Sequence, residues 1–222
     1  MAFLNGTSVE ITARLQALSR REVGFRADVV KKALDHRSVH VRWAAALALG
    51  IAGIGEEALL DRLKTERNEI VLAEIAESLG GVGGEKSLHP LCRLAEDHRS
   101  AMVRSYALMG VADIAKKSAV PFMIGRLAAE RSTRVKATLR GLLFVLGWKP
   151  ALLQLVRDIE HGSSQTRRII TSLLDYYRPR RNRRQILVAL DSALQRETDP
   201  GAWGDLQNLI EVFSPRRRVA AP

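Results

Sequence analysis

Histidines are the first residues in this chain that could ligate a metal ion or move a proton near neutral pH, and there are five of them. His36 and His98 stand at equivalent places in two Asp-His-Arg-Ser segments. Two helical layers of about 10 Å each are predicted between them, so the two side chains should lie about 20 Å apart. That distance is too long for both to ligate one metal ion. The others stand alone in the sequence: His40, His89 and His161. We therefore expect no metal, no cofactor and no catalytic residue.

The single cysteine, Cys92, could act as a nucleophile or a metal ligand only with partners that the sequence does not place beside it. One thiol cannot form an internal disulfide. Leu91 and Leu94 lie with it on the apolar side of a predicted helix. A free cysteine in that setting is typically a small core residue, and we interpret Cys92 in that way.

Arginines near the C-terminus could bind phosphates or carboxylates, because a guanidinium can donate two parallel hydrogen bonds to either group. One cluster fills 178–184, after Tyr176 and Tyr177, and another lies at 216–218. A cation at a helix start opposes the helix dipole, so the pair that opens a predicted helix, Arg167 and Arg168, suggests an external anion nearby. This half is either a surface for an anionic partner or a solvated loop and tail. The candidate residues are Arg167, Arg168, Arg178, Arg180, Arg181, Arg183 and Arg184.

Trp43 and Leu47 form the other candidate binding feature, because tryptophan is enriched at binding hot spots. They are four residues apart and share one face of a predicted helix. In the repeat described next, Glu77 and then Met109 occupy the position of Leu47. This face is either an exposed apolar patch flanked by the acids Glu74 and Glu77, which would mark a binding site, or a seam in which Trp43 packs between repeats.

A repeat of about 30 residues supplies the elements that would position these side chains. In each copy apolar residues recur at i, i+4 and i+8, as in Val41, Ala45 and Leu49, and form a stripe on one helical face. A polar residue three positions earlier is predicted to cap each helix, at about 1 kcal/mol each. The predicted caps are Ser38, Asn68, Ser100, Ser132, Ser164 and, in a degenerate last copy, Asp199.

A second helix is predicted in each copy, followed by a short polar turn. These helices are expected at 23–34, 57–64, 87–95, 119–128, 150–160 and 184–195, with an extra one from Thr7 to about Ser19. No stretch shows the alternation of a β-strand. A single hairpin cannot bury its apolar face alone, so the copies must stack. The sequence predicts an all-α fold, an α-solenoid of about six helical hairpins with an N-terminal cap helix.

We expect one repeat domain over 1–222. Its predicted parts are a cap helix at 7–20, well-formed repeats over 21–177, an Arg-rich loop at 178–184, a degenerate repeat over 185–213 and a basic, flexible tail at 214–222.

The chain resembles HEAT-like repeat proteins, in particular the short bacterial type found in phycobilisome bilin lyases. The resemblance rests on the Asp-x-x-Ser-x-x-Val-Arg segments at 35–42 and 97–104 and on the glycine-rich run at 49–63. It implies a curved stack in which the second helix of each hairpin lines the concave wall. It also implies a ladder between repeats, in which Asp35 and Asp97 pair with the arginines after the framework valines, Arg42 and Arg104, with a break at Leu72.

Composition separates the two halves of the chain. The 222 residues are 46% hydrophobic and 27% charged, a globular balance. The formal charge is +11, with 15 basic and 14 acidic residues over 1–111 but 20 and 10 over 112–222. No apolar run is long enough to span a bilayer, and the start lacks the basic region of a secretory signal. We expect a soluble, cytoplasmic protein whose C-terminal half attracts anionic partners.

These features favour a non-catalytic scaffold or adaptor, for example an assembly factor or an immunity-type inhibitor. We expect it to bind an acidic protein partner through its concave face and its basic half. The alternative is nucleic-acid binding, as in the alkylpurine DNA glycosylase solenoids, along a basic stripe of Arg134, Lys136, Arg140 and Arg168. A remoter alternative is a bilin lyase, although nothing in the sequence marks a bilin pocket.

Overall fold

The computed structural model describes residues 2–214, and every regular element in that range is helical, without a β-strand. Two short 3-10 helices, Ala2–Leu4 and Lys116–Ala119, accompany the α-helices. The predicted all-α class is confirmed. The α-helices are α1 Ser8–Gln16, α2 Arg20–Phe25, α3 Ala27–Ala33, α4 Val39–Ala52, α5 Glu56–Thr65, α6 Glu69–Val82, α7 Glu85–Asp97, α8 Ala101–Ala115, α9 Val120–Ala129, α10 Thr133–Leu146, α11 Ala151–His161, α12 Ser164–Tyr177, α13 Arg183–Leu194 and α14 Pro200–Phe213.

The predicted helices lie within a few residues of the observed ones, with one break. The helix expected over 23–34 is two short helices, α2 and α3, because the backbone of Arg26 leaves the helical region at φ −111° and ψ 17°. The Arg26 guanidinium lies over the ring of Phe3, 5.2 Å from its centroid. Ser19 and Glu22 form a capping box that starts α2.

The chain divides into two compact units, Met1–Phe122 and Met123–Pro222. In the first unit, α4, α6 and α8 pack side by side in chain order, and α1 packs against α4. We call α4, α6 and α8 the inner layer; α3, α5 and α7 form the outer layer, each packed on the inner helix that follows it. In the second unit, α10, α12 and α14 are successive neighbours, and α11 and α13 cover them.

Small residues set the spacing of the inner layer. A Cβ added to Gly80 would lie 2.8 Å from the Cα of Gly110, and one added to Gly110 would lie 2.6 Å from the carbonyl oxygen of Ala76. The outer helices α5 and α7, by contrast, touch only slightly. The layer whose helices lie closer together is the concave side of a curved two-layer stack. Within the first unit, α4, α6 and α8 therefore form the concave side.

The turn before each inner helix has one side-chain acceptor that holds the backbone. His36 Nδ1 accepts the backbone N–H of Ser38 at 3.0 Å, and His98 Nδ1 accepts that of Ser100 at 3.1 Å. Glu66 Oε1 accepts the N–H groups of the next two residues at 2.9 Å each. Glu130 and Glu197 do the same in the second unit. The two histidines are therefore structural turn residues.

The predicted aspartate ladder is wrong, because the acid that pairs with the framework arginine is a glutamate. Arg42 donates to both carboxylate oxygens of Glu66, at 2.7 and 3.0 Å, and to the carbonyl oxygens of His36 and Arg37 at 3.0 Å each. Asp35 belongs to the turn before α4, but 82% of its side chain is exposed, and its carboxylate lies 3.5 Å from Arg62. Asp97 instead pairs with Arg93 of its own helix, and Arg104 donates to the carbonyl oxygens of His98 and Arg99.

At three of the six predicted cap positions the side chain accepts a hydrogen bond from the first turn of the helix. Asn68, Ser132 and Asp199 accept N–H groups of the first turn. Ser38 and Ser100 stand at the N-cap, but the histidine two residues earlier accepts the turn N–H. The prediction of Ser164 as a cap is wrong. The Ser163 hydroxyl accepts the N–H of Thr166, and the Ser164 hydroxyl donates to Glu197.

Candidate functional site

The concave side of the first unit carries one continuous set of surface positions, which we call the inner face. On each inner helix they recur at helical spacing, so they share a face of that helix. The inner face consists of Trp43, Leu47 and Ile51 on α4, Ile70 and Glu77 on α6, and Met102, Met109 and Asp113 on α8.

The inner face is mainly apolar, and part of it is open to solvent. Ile51 and Ile70 expose 55% and 57% of their surface. Trp43, Leu47, Met102 and Met109 are half-buried. Large exposed isoleucines beside half-buried methionines and a tryptophan form the kind of patch that a soluble protein usually covers with a partner. Trp43 thus combines the two predicted alternatives, since it contacts the neighbouring helix and keeps part of its surface exposed.

Glu74 links Trp43 to α6 at the edge of the inner face. It is buried, and its carboxylate receives hydrogen bonds from the Trp43 indole and from the Ser78 hydroxyl, the latter at 3.2 Å. Ser78 also lies 2.9 Å from the carbonyl oxygen of Ala46 on α4. Burial, and then the charge of Glu77, raise the pKa of Glu74 to about 7, because the two hydrogen bonds only partly offset them.

Glu77 and Asp113 extend this acidic group across α6 and α8. Burial and the nearby charge of Asp113 raise the pKa of Glu77. A Cβ on Gly80 would lie 3.3 Å from Asp113 Oδ2, which places Asp113 against α6. Lys116 lies 4.0 Å from Asp113. In the described part of the chain, no lysine, arginine or histidine lies within 4.0 Å of the carboxylates of Glu74 and Glu77.

Replacing Glu74 with glutamine is expected to stabilise the protein at pH 8 and to change little at pH 4.5. A raised folded-state pKa means that the carboxyl favours folding below its unfolded value of about 4.5, and that this contribution is lost as the pH rises through about 7. The gain in the free energy of unfolding should grow over that window to about 3 kcal/mol at most. Urea unfolding of both proteins from pH 4.5 to 8 measures it. A gain that does not depend on pH would contradict the assignment.

The predicted basic residues of α10 and α12 have partners within the second unit. Arg140 donates to both carboxylate oxygens of Asp158, at 2.7 and 2.8 Å. Arg167 pairs with Glu197, and Arg168 with Asp205 at 3.1 Å. The expectation of an external anion at the start of α12 is therefore corrected, since the protein supplies both anions itself. Lys136 and Arg134 on α10 are half-buried, and Arg134 Nε has no hydrogen-bond partner within the described range.

Three arginines of the cluster at 178–184 form contacts within the protein. Arg178 pairs with Asp175 at 3.1 Å. Arg181 donates to the last carbonyl groups of α10, those of Phe144 and Val145. Arg183 donates to the carbonyl oxygen of Val212 and lies over the ring of Phe213. Arg178, Arg180, Arg181 and Arg184 are exposed, whereas Arg183 is half-buried. The second cluster, Arg216, Arg217 and Arg218, lies outside the described residues.

The remaining candidates do not form a reactive site among the described residues. No group of three metal-ligating side chains lies close enough to bind an ion there. Cys92 is half-buried on α7, and burial raises the pKa of its thiol, which keeps it in the unreactive protonated form. Within residues 2–214, no helix combines the length and apolar character needed to cross a bilayer.

Sequence reasoning missed the turn glutamates, although a signal for them exists. At the turn position two residues before the N-cap, His36 and His98 alternate with Glu66 and Glu130 from copy to copy. The framework arginines alternate in step: Arg42, Arg104 and Arg167 occupy alternate copies, with Leu72 and Lys136 between them. The pattern therefore repeats every two hairpins. One hairpin has a histidine in its turn and a framework arginine, and the next has a glutamate in its turn.

Comparison with known proteins agrees with this architecture. Residues 56–143 match the family model of HEAT repeats. A solved structure, the complex of CpcE and CpcF of phycocyanin lyase from Nostoc sp. PCC7120, contains a chain of similar fold. Its TM-score is 0.64 at 15% sequence identity, over 96% of this chain and 92% of that one. No curated protein sequence gives a significant match. The predicted resemblance to HEAT-like repeats is confirmed.

Proposed function

We propose that this chain is a non-catalytic cytoplasmic scaffold that binds a protein partner on the inner face of its first unit. The observation that carries the proposal is the exposure of Ile51 and Ile70 beside half-buried Trp43 and Leu47 on a concave helical layer. Covering these side chains would remove apolar surface from water, which favours association by about 25 cal/mol per Å² before the costs of ordering.

Assembly with a second protein is supported by the structural comparison. The similar chain from Nostoc sp. PCC7120 was solved in a complex of CpcE and CpcF. We propose that this chain also assembles with another protein chain. Because that complex is a phycocyanin lyase, a role in a lyase is the alternative. It would be favoured if the captured partner absorbed visible light through a bound bilin.

A second contact, with an acidic surface of the partner, is proposed for the C-terminal half. Six of its predicted arginines are engaged within the protein, so the cations that remain for a partner are fewer than the sequence suggests. They are Arg180 and Arg184, which are exposed, and Arg134 and Lys136, which are half-buried. Exposed charges of this kind would speed association and make its rate depend on salt, while adding little affinity.

Lysine substitutions on the inner face are expected to abolish partner capture. Ile51→Lys and Ile70→Lys change side chains that are already more than half exposed, so we expect the fold to remain. Each should weaken binding at least about tenfold, because a charge replaces a buried apolar contact. The measurement is capture of partners from the host lysate by tagged wild-type and variant chains, with and without nuclease, identified by mass spectrometry.

The matched control is Phe25→Lys, which makes the same change at a residue of α2 that is 79% exposed and lies off the inner face. It should leave capture unchanged. A stoichiometric protein that survives nuclease and is lost only with the two inner-face variants supports the scaffold. Loss of every partner on nuclease treatment would instead place nucleic acid first.

A further inference from the structure

The inner face combines apolar side chains with the carboxylates of Glu77 and, at its edge, Glu74, neither of which has a lysine, arginine or histidine within 4.0 Å in the described part of the chain. Glu77 lies on α6, between the apolar residues of α4 and α8, and Glu74 lies at its edge, against Trp43. The third acid of the group, Asp113, lies 4.0 Å from Lys116. Elsewhere in the same unit, the buried carboxylate Glu66 is paired with two arginines. The contrast shows that this fold can neutralise a buried acid and does not do so at the inner face.

The pattern of charge is the reverse of the charge on the whole chain. With a formal net charge of +11, the protein as a whole attracts anions. Burial and a neighbouring carboxylate disfavour the ionised form of both Glu74 and Glu77, and the hydrogen bonds from Ser78 and Trp43 offset this only in part, and only at Glu74. A positive group brought to them from outside would be favourable because it meets desolvated carboxylates, where an ion pair is screened less than at the surface.

The apolar part of the inner face limits what can carry that positive group. Trp43, Leu47 and Ile51 on one side and Met102 and Met109 on the other flank the acid of the central helix. Methionine is unbranched and adapts to different apolar side chains, and grooves rich in it bind amphipathic helices. An inorganic cation or a polyamine would leave these side chains exposed to water.

We propose that the inner face binds a basic amphipathic helix of a partner protein. Its apolar side chains cover Trp43, Leu47 and Met109, and a lysine or arginine reaches Glu74 and Glu77. This rests on the proposed scaffold function and specifies the chemistry of the segment that docks. The proposal also assigns different chemistry to two surfaces of the protein. The inner face of the first unit would bind a basic segment of the partner, whereas the basic residues of the second unit would bind acidic groups.

Two synthetic helical peptides test the proposal with the full chain. One is an amphipathic helix of leucine and lysine, and the other has every lysine replaced by glutamate. Fluorescence anisotropy of labelled peptide gives the dissociation constant of each. We expect the lysine peptide to bind at least about tenfold more tightly, although net charge alone would favour the glutamate peptide. The double variant Glu74→Gln/Glu77→Gln should reduce that preference at least about tenfold.

The matched control is Glu85→Gln/Glu96→Gln, which makes the same two substitutions at exposed positions of α7 in the outer layer. It should leave the preference unchanged. The proposal is overturned if the peptides bind equally, if the glutamate peptide binds more tightly, or if both double variants act alike. If Ile70→Lys abolishes capture of the partner but Glu74→Gln/Glu77→Gln leaves capture unchanged, the proposed scaffold function is supported and the proposed basic helix is wrong.

Discussion

Replacing Glu66 with alanine is expected to lower the free energy of unfolding by about 3–5 kcal/mol. Only 2% of its side chain is exposed, and it accepts hydrogen bonds from Arg42, from Arg62 and from two backbone N–H groups of its turn. The alanine variant leaves the Arg42 guanidinium, itself 11% exposed, buried without its anion. An uncompensated buried charge is among the most destabilising changes a protein can suffer.

Urea unfolding measures this effect, and Asp35→Ala is the matched control. Asp35 is the acid that the sequence suggested for the ladder, but its side chain is exposed and its single contact with Arg62 is long. Such a surface pair contributes about 1 kcal/mol or less. If the two alanine variants lost equal stability, the assignment of Glu66 as the ladder acid would be wrong.

The same carboxylate makes stability depend on acid pH. Burial alone would raise the pKa of Glu66, but hydrogen bonds from Arg42, from the Asn68 backbone and from Arg62 outweigh it and lower the pKa to about 2. A lowered folded-state pKa means that this stabilisation is complete above the unfolded value of about 4.5 and is lost as the pH falls toward 2. The difference between wild type and Glu66→Ala should therefore shrink over that window.

The second large effect is expected at Gly110, where alanine should destabilise the protein by about 2–3 kcal/mol. The added Cβ would lie 2.6 Å from the backbone oxygen of Ala76 and 3.0 Å from Leu91. A backbone atom cannot move aside as a flexible side chain can, so α6 and α8 must separate. The consequence is a wider inner layer with poorer packing.

The matched control is the same substitution at Gly24, inside α2, where nothing lies within 4 Å of the added Cβ. Alanine restricts the unfolded chain and favours the helix, so Gly24→Ala should stabilise by about 0.5–1 kcal/mol. One chemical change is thus expected to have opposite signs at two helical glycines. A stabilising result at Gly110, measured by the midpoint of urea unfolding, would show that the inner helices are not in close contact there.

The helices could be predicted because the forces that define them are local. Stripes such as Val41, Ala45 and Leu49 and caps such as Asn68 and Asp199 act within one or two turns, and they agree with the observed helix bounds. The pairing of Arg42 with Glu66 joins turns of different hairpins, so it depends on how consecutive repeats stack. The alternation of arginine and glutamate copies is the one sequence signal that points to it.

Three apolar members of the inner face were predicted from the sequence, but Ile51, Ile70 and Met102 were not. Helical spacing puts Trp43 and Leu47 on one face of α4, the repeat gives Met109 the equivalent position on α8, and the structure places all three on the concave side of the first unit. The basic surface is different, because acids distant in sequence neutralise Arg140, Arg167 and Arg168. A count of charges along the chain does not show which of them the fold uses internally.

The most direct test of the docking claim is site-specific crosslinking. A photoreactive phenylalanine analogue placed at residue 70 of the inner face is compared with one placed at residue 25, both in nuclease-treated host lysate. Both positions are more than half exposed, so they differ in location rather than in access. We predict one dominant crosslinked protein from position 70 and none from position 25. Crosslinks from position 25 alone, or equal products from both, would contradict the assignment of the inner face as the partner-binding surface.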